Sequence, residues 1–167
     1  VLAVAGTAGK TTTTGMLGWT LEQLGADPTV VNGGALVDWA DARHVGNVRR
    51  GGVDSPWVVE VDESDRSLLR FFPEWSVLTN ISQDHFTLEE VQALFRTYAG
   101  QVCQGLVCGE GVAGVLGVQQ AKVVEGMGRP EKTENGFAVA WRGQQLEVRQ
   151  PGAHNAWNAL MAAELCA

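Results

Sequence analysis

The segment Gly6-Thr7-Ala8-Gly9-Lys10-Thr11-Thr12 constrains this chain most, because it lies between the apolar run Val1-Leu2-Ala3-Val4-Ala5 and an amphipathic helical pattern over residues 10–24. A strand that turns into a helix through glycines aims several backbone N–H groups, and the positive end of the helix, at one point in space. Such a point binds an anion. Lys10 adds a charge suited to the outer phosphates of a nucleotide such as ATP, and the Thr11 hydroxyl is suited to magnesium. Gly6, Thr7, Gly9, Lys10, Thr11 and Thr12 are therefore the candidate phosphate-binding residues. The spacing is GxxGKT, shorter than the general GxxxxGKT loop, so the strand-to-helix setting carries the reading more than the pattern does. A glycine-rich turn with an incidental lysine is the plain alternative, and it leaves Gly-Lys-Thr at such a junction without a use.

The remainder of the chain supplies the sheet that such a loop requires. Strand-like runs near residues 1–5, 29–31, 57–61, 76–80 and 105–108 alternate with helical patterns at 10–24, 68–72, 88–98 and 154–166. This alternation predicts an α/β fold: a mostly parallel sheet joined by right-handed crossovers and flanked by helices. Each run ends in glycine or polar residues, where ligand crevices of such sheets form. Residues 137–141 and 145–149 flank Arg142-Gly143-Gln144, which predicts a late β-hairpin. The 167 residues, 45% hydrophobic, suffice for one core and one domain. Because the chain starts in a strand and stops in a helix, it reads as a piece of a longer protein.

Composition excludes some partners. A net charge of −7 argues against a surface that tracks nucleic-acid phosphates, since counterion release needs clustered Lys and Arg. No apolar run approaches the roughly 20 residues of a membrane helix, and no secretory signal opens the chain. Cys103, Cys108 and Cys166 are odd in number and lack CxxC spacing, which suits idle thiols in a reducing cytoplasm. The expected setting is cytoplasmic, without nucleic-acid or membrane partners. The six tryptophans read as packing residues, with Trp157 the one placed near a candidate site.

Three further segments carry chemistry. Glu60-Val61-Asp62-Glu63-Ser64-Asp65 follows the apolar pair Val58-Val59, so it belongs at the same sheet edge as the phosphate loop. Strand alternation puts Glu60 and Asp62 on one face, with Glu60 as the expected metal ligand and Asp65 divided between catalysis and capping a helix that begins near Ser67. Thr79-Asn80-Ile81-Ser82-Gln83-Asp84-His85 also follows a strand, and a neutral His85 imidazole could ligate a second metal ion. Lys10, Glu60 and His85 are thus the candidate catalytic residues, and Thr11, Glu60 and His85 the candidate Mg2+ ligands. Last, Gly152-Ala153-His154-Asn155-Ala156-Trp157-Asn158 is a glycine turn into a helix, with Asn155 and Asn158 sharing a face. Their carboxamides match the donor and acceptor edge of adenine, whereas N-capping accounts for either asparagine singly.

Taken in order, GTAGKTT, EVDESD, TNISQDH and GAHNAWNA resemble the motifs of the Mur ligase family's central ATP-binding domain, and the likeness spans nearly the whole chain. The resemblance implies a P-loop NTPase-like fold over residues 1–167, within a longer enzyme whose N-terminal UDP-binding and C-terminal amino-acid-binding domains are absent here. It further implies an ATP- and Mg2+-dependent ligase of peptidoglycan precursor synthesis, with His154, Asn155 and Asn158 holding adenine. Asp62-Glu63-Ser64-Asp65, Thr11-Thr12-Thr13-Thr14 and Val31-Asn32-Gly33-Gly34 look most like the branch that adds L-alanine to UDP-N-acetylmuramate. Branches adding later residues use a carbamylated lysine after the Asp-His pair; this chain has no lysine between Lys10 and Lys122. It departs from the alanine-adding pattern at Ala8, where histidine is usual, and at Phe86-Thr87 in place of Met-Asp. Three other readings compete: a tripeptide-recycling ligase of the same family, a self-contained P-loop kinase or NTPase, and a non-catalytic nucleotide-binding module.

Overall fold

The computed structural model describes residues 1–84, 86–117, 121–124 and 129–167, with the side chains of 110 and 121–124 left aside. In chain order it forms β1 (Leu2–Ala5), α1 (Lys10–Gln23), β2 (Thr29–Val31), β3 (Val48–Arg49), β4 (Trp57–Glu60), β5 (Trp75–Leu78), α2 (Leu88–Ala99), β6 (Gly105–Gly109), α3 (Glu110–Leu116), β7 (Ala121–Val124), β8 (Glu131–Thr133), β9 (Gly136–Trp141), β10 (Gln144–Val148) and α4 (Ala153–Leu165). The main sheet has the order β3-β2-β4-β1-β5-β6-β7. Every pairing in it is parallel except β2 with β3. The predicted class is therefore the observed one.

Both faces of this sheet are covered, and the period of two along each strand divides the core. Ala3, Ala5, Val59, Leu78, Leu106 and Cys108 face one way, packed with Val91, Phe95 and Tyr98 of α2. Val4, Val58, Val77 and Val107 face the other way, packed with Leu17 of α1 and Leu160 and Met161 of α4. Burying a Leu or Phe side chain of this kind stabilises by about 1.5–3 kcal/mol. α2 starts with a capping box in which Thr87 and Glu90 satisfy each other's backbone N–H groups.

Three expectations are corrected. α1 follows the loop as predicted, yet its inward face is made of Thr13, Thr14, Gly15, Leu17 and Gly18 rather than an apolar stripe. Small residues are needed there because a methyl added at Gly18 would press on Val30 and Trp39, and one at Gly15 on Leu36. The helix expected at 68–72 is a single 3-10 turn, Ser67–Arg70, entered through Arg66 at φ 62°. Asp65 accepts from the Ser67 backbone N–H at 2.8 Å, so it supports that turn. β4 ends at Glu60, so strand alternation does not extend to Asp62. The short β3, α3, β7 and β8 were not expected; β3 and β8 span only two and three residues, too few to show a period.

The late hairpin is present as β9 and β10, paired so that Trp141 faces Gln144. Its two turn residues, Arg142 and Gly143, have φ 46° and 77°, as a tight two-residue turn requires. With β8 it forms a three-stranded antiparallel sheet whose Val139 and Val148 pack in the α4 cluster. Trp141 Nε1 and the Arg142 guanidinium donate to the Glu164 carboxylate at 3.0 and 2.7 Å, fixing the C-terminal end of α4. Among the described residues, no helix is long and apolar enough to cross a membrane.

Candidate functional site

The parallel strands β1, β4 and β5 lie side by side, so the segments after them meet at one sheet edge. After β1, the chain turns through Gly6 and Gly9, at φ 134° and 82°. Gly9 is the N-cap of α1 in the left-handed region, and no side chain caps the helix. The first backbone N–H groups of α1 therefore have no intrahelical acceptor and face the crevice beside Lys10 and Thr11.

The loop is strapped by the segment after β5. The Asn80 carboxamide pairs reciprocally with Ala8, accepting from its N–H at 3.1 Å and donating to its carbonyl at 2.7 Å. Asn80 also accepts the Thr7 N–H on its own backbone carbonyl, and the Thr79 hydroxyl reaches the Ala8 carbonyl at 2.7 Å. Thr7 Oγ1 accepts the Ser82 N–H at 2.9 Å. Asn80 and Thr79 are thus site-shaping residues that the sequence reading passed over in favour of His85. Their position in a motif after β5 was the available signal, but that β5 borders β1 is a fact of topology. His85 lies outside the described residues.

The last residue of β4 supplies a carboxylate to Thr11, and the segment after β4 supplies carboxylates to Lys10. Thr11 Oγ1 donates to Glu60 Oε1 at 2.9 Å, and the Gly33 N–H donates to Glu60 Oε2 at 2.6 Å. Two of the three expected metal ligands therefore touch. Lys10 Nζ does not face open solvent: it is bonded to Glu63 Oε2 at 2.6 Å and lies 3.6 Å from Asp62 Oδ1. The Glu63 side chain is 4% exposed. Burial pushes its carboxyl above the ordinary range, and Lys10 offsets part of that rise. Asp62 is held below its ordinary value: burial, the largest influence, pushes it up, but the Ser64 backbone N–H and the Lys10 charge outweigh it. Glu63 is a third site residue missed by sequence reasoning, which weighed only Glu60 and Asp65 for roles in that cluster.

α4 brings Asn158, in its second turn, against the loop. A methyl added at Gly9 would come within 3.1 Å of Asn158 Oδ1. Asn158 Nδ2 donates to Asn155 Oδ1 at 3.2 Å, and Asn155 Nδ2 to the Pro151 carbonyl at 2.7 Å. Both are buried, and neither caps the helix, whose N-cap is Gly152 without a side-chain bond. His154 and Trp157 are exposed on the same helix. Behind the crevice, Asn32 follows β2 with 4% exposure, and both its carboxamide atoms lack a hydrogen-bond partner.

Gly6, Thr7, Gly9, Lys10, Thr11, Thr12, Glu60 and Asn158 are thus gathered at one place, with Asn155 immediately behind Asn158. Asp62 and Glu63 bring two carboxylates against the Lys10 ammonium and Glu60 sits on the adjacent Thr11, so a bare polyphosphate would meet net repulsion. Thr11 and Glu60 offer hard oxygen donors of the kind Mg2+ prefers, and a cation there would remove that repulsion. Among the described residues, no group of three or more His, Cys, Asp or Glu converges as a metal cage.

Comparison with known proteins bears on this arrangement. Residues 4–93 match the family model described as the Mur ligase middle domain. The UDP-N-acetylmuramate–L-alanine ligase of Trichormus variabilis is 46% identical over 64% of this chain, and that of Syntrophotalea carbinolica 34% identical over 96% of it. The chain spans 21% and 39% of the length of these two relatives. Among solved structures, UDP-N-acetylmuramate-alanine ligase from Thermotoga maritima superposes with TM-score 0.77 at 28% identity, covering 98% of this chain and 40% of that one. A UDP-N-acetylmuramate:L-alanyl-gamma-D-glutamyl-meso-diaminopimelate ligase from Neisseria meningitides gives TM-score 0.78 at 26% identity, covering 99% and 60%.

Proposed function

Because the chain belongs to the Mur ligase family, we propose that it is the central ATP-binding domain of an ATP-dependent amide-bond ligase that joins L-alanine to UDP-N-acetylmuramate in peptidoglycan precursor synthesis. One observation carries this reading: the uncapped N-terminus of α1 faces the crevice beside Lys10, while Thr11 and Glu60 lie 2.9 Å apart at its rim.

In this reading the loop N–H groups and Lys10 bind the β- and γ-phosphates of ATP, and His154, Asn155 and Asn158 hold adenine. Thr11, Glu60 and His85 would hold Mg2+, which would neutralise charge on the phosphate oxygens. A carboxylate oxygen of the muramoyl group attacks the γ-phosphorus and ADP leaves, giving an acyl phosphate. The amine of L-alanine then attacks the carbonyl carbon, the C–O bond to phosphate breaks, and the amine proton is released to solvent. Lys10 stabilises the phosphoryl group in flight, the term that dominates such transfers. Asn32, buried with an unused carboxamide, approaches the muramoyl carboxylate. The flanking domains hold the UDP moiety and the amino acid and close the site against water, so the isolated domain binds nucleotide weakly and does not ligate.

The recycling ligase that accepts a preformed tripeptide is the second reading, since the Neisseria structure matches this fold as well as the alanine ligase does, with TM-scores of 0.78 and 0.77. Calorimetric titration with Mg-ATP, on this domain and on the full-length protein, tests the site through Lys10→Ala and Asn158→Ala. Both changes are expected to weaken saturable binding, and Lys10→Ala to slow ligation by about 100-fold or more. Ligation by the full-length protein, assayed with UDP-N-acetylmuramate and either L-alanine or the tripeptide, separates the two substrates. Binding indifferent to both substitutions would overturn the assignment.

A further inference from the structure

Lys10 is the charged group that nucleotide phosphates require, yet it is already bonded to a carboxylate. Its ammonium lies 2.6 Å from Glu63 Oε2, with the Lys10 side chain 13% exposed and that of Glu63 4% exposed. The other charged group at the ammonium is Asp62, 3.6 Å away with its side chain 54% exposed. A buried carboxylate stripped of its cation is strongly disfavoured, because water no longer solvates it. An incoming phosphate that draws Lys10 away therefore leaves Glu63 with two choices: keep its charge unpaired, or gain a proton.

Resting on the proposed nucleotide site, we propose that Glu63 is a positioning residue that occupies Lys10 as a stand-in anion, and that nucleotide binding hands Lys10 to phosphate while Glu63 takes up one proton from solvent. The buried Glu63 carboxylate becomes a neutral carboxylic acid, and the anionic charge beside Lys10 is then carried by the nucleotide. Asp62 remains ionised, since more than half of its side chain is in water and the Ser64 N–H is bonded to it at 3.1 Å. The upward displacement of the Glu63 carboxyl by burial is in the required direction.

The experiment is titration calorimetry of the full-length ligase with Mg-ADP at pH 7.5, repeated in buffers of different ionisation enthalpy to count protons. The wild type is expected to take up close to one proton more than Glu63→Gln. Histidine and phosphate ionisations are common to both proteins and cancel in the difference. Linkage then requires the wild-type Kd to rise with pH, relative to Glu63→Gln, by up to tenfold per pH unit. Glu63→Gln, lacking the competing charge, is expected to bind Mg-ADP more tightly. Equal proton counts in wild type and Glu63→Gln, or weaker binding by Glu63→Gln, would overturn this role while leaving the nucleotide site standing. Should Glu63→Gln not fold, Glu63→Ala takes its place in the same comparison, and a proton count equal to that of the wild type overturns the proposal. Absence of Mg-ADP binding by the wild type overturns the site reading and this inference together.

Discussion

Replacing Gly6 with alanine isolates the geometry of the phosphate loop in a single methyl group. The methyl would overlap Thr79 Oγ1 and lie 3.1 Å from the backbone nitrogens of Thr79 and Asn80, in a residue at φ 134°. The disfavoured backbone region costs about 1–3 kcal/mol, and forcing a methyl into a packed site typically another 1–3 kcal/mol. The expected loss of stability is therefore roughly 2–6 kcal/mol, read as a lower denaturation midpoint with an unchanged m value. Thr79→Ala alone removes a hydroxyl that lies 2.7 Å from the Ala8 carbonyl and 3.2 Å from that of Ala5, and should cost about 1–2 kcal/mol. In the double variant the methyl occupies space the hydroxyl has left. Its cost should fall short of the sum by about 1 kcal/mol or more. Strict additivity within about 0.5 kcal/mol, or a Gly6→Ala protein as stable as wild type, would refute the steric account of the loop.

Two other perturbations follow from buried polar groups. Tyr98 is fully buried, its hydroxyl 2.9 Å from Ser76 Oγ, and burial pushes its phenol up to about 12 while the Ser76 bond acts weakly against it. A group with a raised folded pKa stabilises below its unfolded value of about 10 and loses that contribution as pH climbs toward 12; Tyr98→Phe should flatten alkaline unfolding in that window and cost about 1 kcal/mol at neutral pH. Asn32→Leu removes two buried polar atoms that have no partner, so thermal denaturation should show unchanged or greater stability, by about 1 kcal/mol, while ligation by the full-length protein is lost; retained ligation would remove Asn32 from the muramoyl site.

The elements that proved legible were those with a strong local signal. Glycine, lysine and threonine between an apolar run and a helix marked β1, the loop and α1 because only those residue types fit that backbone and charge. Arg142-Gly143 between two β-rich runs marked the hairpin for the same reason. The helix expected at 68–72 failed because five residues carry too little periodicity to separate an α-helix from a single 3-10 turn.

By itself, the sequence determined the glycine loop between β1 and α1, the α/β class and the residue types at the crevice, since these follow from local backbone demands and from spacing along the chain. Only the tertiary structure decided which partner each of those residues takes. The sheet order β4-β1-β5 brings Asn80 and Thr79 beneath the loop and Glu60 to Thr11, although these residues lie 49 to 72 positions from their partners. It also sends the Lys10 ammonium to Glu63, 53 positions away. Packing of α4 between the loop and the late hairpin presses Asn158 against Gly9. Such pairings are set by strand order and by burial, which belong to the whole sheet, whereas propensity and spacing act within a few residues.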